Sequence, residues 1–114
     1  MSTPEPIDLN HLDLYTGGNR ALNEEVLRLF DDHCRSMLAQ LECHSANGQL
    51  WRHTTHTLKG AARGIGAFNL ADAASAAEKA LPGDTAAILI AVTRIKNESA
   101  TVQRFIEDFL AQKV

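Results

Sequence analysis

The residues of this sequence that are best suited to chemistry are a histidine and its neighbours between positions 56 and 63. His56, Lys59, Gly60 and Arg63 follow the i, i+3, i+4 and i+7 spacing that places residues side by side on one face of a helix. The opposite face of the same helix carries a mostly apolar stripe, made of Thr54, Leu58, Ala61 and Ile65. The spacing therefore predicts an amphipathic helix that exposes an imidazole to water, with a lysine one turn further on.

An exposed imidazole of this kind can act as a nucleophile toward phosphorus. Its neutral form is abundant near pH 7, and it can hold a phosphoryl group as a covalent intermediate. Phosphoryl transfer spreads negative charge over three oxygens, which a cation such as Lys59 stabilises, with electrostatic support from Arg63. Gly60 costs about 1 kcal/mol relative to Ala inside a helix. We interpret it as a position left clear for an approaching molecule.

Several other kinds of site are disfavoured by the same sequence. The formal net charge of −3 argues against a nucleic-acid partner, although Arg52, His53 and Arg63 make this helix locally basic. A basic patch on an acidic protein suits a partner with an acidic active site. The glycines at 64 and 66 follow no strand and fit no nucleotide-binding loop, and we expect neither a Mg²⁺ cluster nor a metal site. A phosphoryl group would then come from one protein and leave to another.

The elements that must position these residues are predicted to be helices. The chain has 114 residues, 45% of them hydrophobic and only 5% aromatic, which indicates one helical domain with a modest core. The predicted helix starts are at Asp8, Asn19, Gln49, Asn69 (with Asp72 completing a capping box) and Asp84 or Thr85. The predicted stops are the Gly17–Gly18 pair, the segment 45–48, Gly66 and the segment 81–83.

Apolar periodicity assigns an inner face to each long helix. For the second helix the predicted stripe is Leu22, Val26, Leu29, Phe30, Cys34, Met37, Leu38 and Leu41. For the last helix it is the heptad series Ile88, Val92, Ile95, Ser99, Val102, Ile106 and Phe109. Short loops between such helices predict an all-α, antiparallel up-and-down four-helix bundle with a short additional N-terminal helix. Residues 1–6 are expected to form a flexible tail and residues 7–114 the domain.

The spacing around His56 resembles that of the histidine-containing phosphotransfer (HPt) domain. The family pattern has a histidine, then Lys-Gly three and four residues later, a Gly-small pair that closes the helix, and a leucine in the next helix. Here these are His56, Lys59, Gly60, Gly66–Ala67 and Leu70, with Glu78 where the family often has an acid. Ile7–Asp8, Leu12, the Gly17–Asn19 turn and Leu29–Phe30 extend the resemblance over nearly the whole chain.

The resemblance implies a four-helix bundle without kinase or ATPase activity. His56 would accept a phosphoryl group from the aspartate of one receiver domain and pass it to the aspartate of another. These receiver domains would belong to hybrid histidine kinases and response regulators. Lys59 would be the stabilising cation and Gly60 the clearance position. The chain would need no cofactor of its own, because the Mg²⁺ belongs to the receiver.

The setting that we expect for such a carrier is the cytoplasm. Cys34 and Cys43 are not spaced as a redox pair or metal knuckle, and we expect neither a signal peptide nor a membrane span. We expect a monomer that starts at Met1 as a separate protein. The alternative hypothesis is a helical adaptor that binds receiver or kinase domains without carrying phosphate.

Overall fold

Five helices make up the protein in a computed structural model that describes residues 5–81 and 83–112. They are α1 (Leu9–Thr16), α2 (Arg20–His44), α3 (Gly48–Gly64), α4 (Phe68–Glu78) and α5 (Thr85–Ala111). No strand occurs in these two ranges, so the prediction of an all-α protein is confirmed. The predicted tail at 1–6 lies outside the described residues as far as position 4, and so does Pro82.

Local caps account for most of the helix starts. Asp8 caps α1, Asn19 caps α2 and Asp84 caps α5, each through a side-chain oxygen that accepts a hydrogen bond from the N–H three residues on. Asn47 caps α3 in the same way, so the helix begins at Gly48, one residue before the predicted start at Gln49. Gly17 is left-handed, with φ of 66°, and ends α1 as predicted.

The start of α4 differs from the prediction. Its N-cap is Ala67, which has no side chain that can cap, and Asn69 is an exposed residue within the first turn. The cause lies in the preceding turn. Gly66 adopts φ of 85°, and Ala67 donates its N–H to the Ala62 carbonyl in a Schellman arrangement. Because of this tight reversal, the N-cap of α4 lies two residues before the predicted Asn69. The predicted capping box of Asn69 with Asp72 is therefore wrong.

The four longer helices contact one another in a ring. α3 packs against α2 and α4, and α5 packs against α4 and α2, while α1 packs on α2. The core contains Trp51, Leu58, Leu70 and most of the predicted heptad of α5, together with Leu27, which the sequence pattern missed. Two leucines of the stripe predicted for the second helix are exposed instead: Leu22 and Leu29. None of the described helices is long and apolar enough to cross a membrane.

Candidate functional site

His56 lies in the middle of α3 with its side chain turned to solvent. The side chain is 71% exposed, whereas Leu58, two residues on, is completely buried. This contrast confirms the predicted division of α3 into an apolar face and a polar face. The tertiary structure therefore leaves the imidazole open to an approaching molecule.

Glu78, the last residue of α4, holds the His56 ring from one side. Its Oε1 lies 2.7 Å from Nδ1 of His56. An ionised carboxylate can only accept hydrogen bonds, so Nδ1 carries the hydrogen and the lone pair of the neutral ring is on Nε2. In the described part of the chain, no hydrogen bond occupies Nε2. The nucleophilic nitrogen is thus the one that faces solvent.

Lys59 holds the other oxygen of the same carboxylate. Its Nζ lies 2.8 Å from Oε2 of Glu78, and its side chain is only 19% exposed. The hydrogen bond from Lys59 is the main cause that lowers the pKa of Glu78. Partial desolvation opposes it, and the hydrogen bond from His56 adds to it. Glu78 therefore stays ionised at neutral pH and is the common partner of the two α3 side chains.

The register between α3 and α4 is what brings Glu78 to His56. Trp51 is buried in α3 and donates its Nε1–H to the Ala77 carbonyl over 2.8 Å, one residue before Glu78. Small residues line the contact, which lets two helix backbones approach closely. The buried small residues of the two helices are Ala62 on α3 and Ala71, Ala73, Ala74 and Ala77 on α4, which packs against both α3 and α5. The end of α4 is therefore placed beside the middle of α3.

Gly60 and Arg63, the two other predicted site residues, are exposed on the same helix. A Cβ built on Gly60 would meet no other atom within 4 Å. Packing inside the protein thus gives no reason for a glycine there, which leaves an external partner as a physical reason for the clearance. Arg63 lies in the last turn of α3 and makes no ion pair in the described residues.

Other reactive side chains are less suited to this chemistry. Cys34 is buried, and burial raises the pKa of its thiol, which disfavours the reactive thiolate. His53 is exposed one turn before His56, but no carboxylate orients its ring in the described residues. Nor do those residues contain a group of three or more His, Cys, Asp or Glu side chains that could hold a metal ion.

The sequence predicts His56, Lys59 and Gly60 on one exposed face of α3. His56 and Gly60 are exposed there, whereas the Lys59 side chain is only 19% exposed. The sequence assigns Glu78 only by resemblance and gives it no role. His56 and Glu78 are 22 positions apart in sequence, and no periodic pattern in the intervening segment links them. No protein-family model, curated protein or solved structure was found to match the chain.

Proposed function

We propose that the protein is a phosphorelay intermediate of the HPt type, which carries a phosphoryl group on His56 between receiver domains. The observation that carries this proposal is the exposed imidazole whose Nδ1 is held by an ionised carboxylate, so that Nε2 is the free nucleophile. The carboxylate acts on the histidine as the aspartate does in hydrolytic Ser-His-Asp triads. It selects the tautomer of the ring and stabilises the imidazolium that forms.

The proposed reaction needs no nucleotide. The Nε2 lone pair bonds to the phosphorus of an aspartyl phosphate, the P–O bond breaks, and its electron pair stays on the departing aspartate. The ring becomes a phosphoryl-imidazolium, with its Nδ1 proton facing the Glu78 carboxylate. The reverse sequence returns the phosphoryl group to a second aspartate, and Mg²⁺ acts on the receiver side.

The fold that we infer is an antiparallel up-and-down bundle of α2 to α5, with α1 added at one end. The closed ring of helix contacts and the short connections between consecutive helices support it. We place this carrier in the cytoplasm as a monomer, and both of its cysteines are free thiols.

The test is phosphoryl transfer from receiver domains of the same genome, charged with acetyl phosphate and Mg²⁺. We expect label on the wild-type protein that is labile in acid and stable in base. His56→Gln should abolish it and leave the helical circular dichroism unchanged, because the side chain is exposed. His53→Gln is the matched control, since it removes an exposed histidine one turn away.

Two outcomes would contradict the proposal. Receivers that bind the protein without transferring label would show an adaptor. If the label persists in His56→Gln and is lost in His53→Gln, the phosphoacceptor is His53, one turn earlier on the helix.

A further inference from the structure

Lys59 is committed to Glu78 before any phosphoryl group arrives. Its ammonium is paired at 2.8 Å, its side chain is mostly buried, and it is the main cause of the lowered pKa of Glu78. A transferred phosphoryl group brings about two negative charges to Nε2. If Lys59 turned away to meet them, the carboxylate that orients His56 would lose its partner. Binding of the phosphoryl group therefore needs a second cation, one that makes no ion pair in the resting protein.

Arg52 meets that requirement. It lies four residues before His56 on the same helix, is exposed, and makes no ion pair in the described residues. Residues at this spacing have Cβ atoms about 5–6 Å apart, a separation that the long Arg52 side chain can span. Arg63 lies in the other direction, about 10 Å along the helix axis.

We propose that Arg52 binds the phosphoryl group on Nε2 of His56, and that Lys59 acts through Glu78 as a positioning residue. This inference rests on the proposed function. A guanidinium presents a planar fork that matches two phosphoryl oxygens, whereas an ammonium is a point charge. Arg52 gains and loses no proton in the transfer. It pairs with oxygens whose negative charge the incoming group supplies.

The probe is phosphoramidate, a P–N donor that phosphorylates histidine with release of ammonia, used on the intact chain. The ³¹P NMR signal that is missing in His56→Gln identifies the phosphoryl group on His56. The pKa for the step from the monoanion to the dianion of this phosphoryl group is then measured in each variant. A neighbouring cation favours the dianion, so we expect Arg52→Ala to raise this pKa by about 0.5. Arg52→Lys should restore part of the difference. Arg104→Ala is the control and should have little effect, because it removes an exposed arginine from α5, which packs against α2 and α4.

The double variant Lys59→Met/Glu78→Gln separates the two roles, because it removes the ion pair without changing the net charge. We expect the pKa of the phosphoryl group to be close to that of the wild type in this variant. A raised pKa there, with no change in Arg52→Ala, would overturn the inference and make Lys59 the direct contact. Absence of the His56 signal in wild-type protein would instead contradict the proposed function itself.

Discussion

At the scale of single residues, Glu78 converts an exposed histidine into an oriented one. It accepts hydrogen bonds from both His56 and Lys59, one at each carboxylate oxygen. Because the side chains of the three residues carry one positive and one negative charge when the ring is neutral, the resting site is close to electrically neutral. It therefore does not repel an incoming phosphoryl dianion.

Lys59→Met should raise the pKa of Glu78 toward that of an ordinary glutamate, because the hydrogen bond from Lys59 is the largest cause of its lowering. A lowered pKa contributes stability that is complete above the ordinary pKa and is lost as the pH falls through the lowered value. The wild type should therefore lose its stability advantage over Lys59→Met on acidification across that interval. NMR titration of the Glu78 carboxyl carbon, with urea unfolding at each pH, measures both effects.

Lys79→Met is the control for this titration, since Lys79 is exposed and follows Glu78 in sequence. A Glu78 carboxyl that titrates identically in Lys59→Met and in wild-type protein would contradict the assigned cause.

At the scale of elements, the turn between α3 and α4 fixes where the site can form. Gly66 combines a left-handed backbone with close contact to the segment before α1: its carbonyl accepts the Asp8 N–H over 2.9 Å. The adjacent Ile7 is buried. The segment at Ile7–Asp8 therefore stabilises the turn at Gly66, after which α4 begins.

Gly66→Ala should destabilise the protein by about 1–2 kcal/mol or more. The left-handed conformation disfavours a Cβ, and that Cβ would lie 2.7 Å from the Asp8 carbonyl oxygen. Gly60→Ala should have the opposite sign and stabilise by about 0.5–1 kcal/mol, since it lies in a helix with open space around it. Urea unfolding followed by circular dichroism compares the pair. Equal stabilities of the two variants would refute this account of Gly66.

At the scale of the whole molecule, the two longest helices are joined at one end by Arg20. Its guanidinium donates to the carbonyls of Phe109 over 2.7 Å and Gln112 over 3.0 Å, and it stacks 4.1 Å from the Phe109 ring centroid. Phe109 lies in the last turn of α5 and Gln112 is its C-cap residue, at the helix end where backbone carbonyls begin to lack intrahelical donors. The N-terminus of α2 thus caps the C-terminus of α5.

Arg20→Ala should lower the free energy of unfolding by about 1–2 kcal/mol, from the lost hydrogen bonds and cation–π contact. Arg28→Ala, at an exposed position of the same helix, should change stability little. Hydrogen exchange should locate the loss in the last turn of α5. Phosphorylation of His56 should proceed at the wild-type rate in both variants, because neither residue contacts the site. A large rate change in Arg20→Ala with intact folding would contradict this separation.

The sequence by itself determined the features that depend on near neighbours along the chain. Caps such as Asp8, Asn19 and Asp84 act over three residues, and the 3.6-residue period assigns His56 to the polar face of α3. Both could be predicted because the interacting groups lie within one or two turns of each other.

Only the tertiary structure decided which residues meet across helices. Leu29 is exposed despite its apolar register, whereas Leu27 and Phe30 of the same helix are buried in the core. The partner of His56 is Glu78, since Trp51 and a series of alanines set the register of α3 on α4. Such a register depends on the shapes of two helix surfaces and on the turn at Gly66, none of which repeats along the chain. The exposed imidazole was therefore predictable, whereas the orientation of its ring was not.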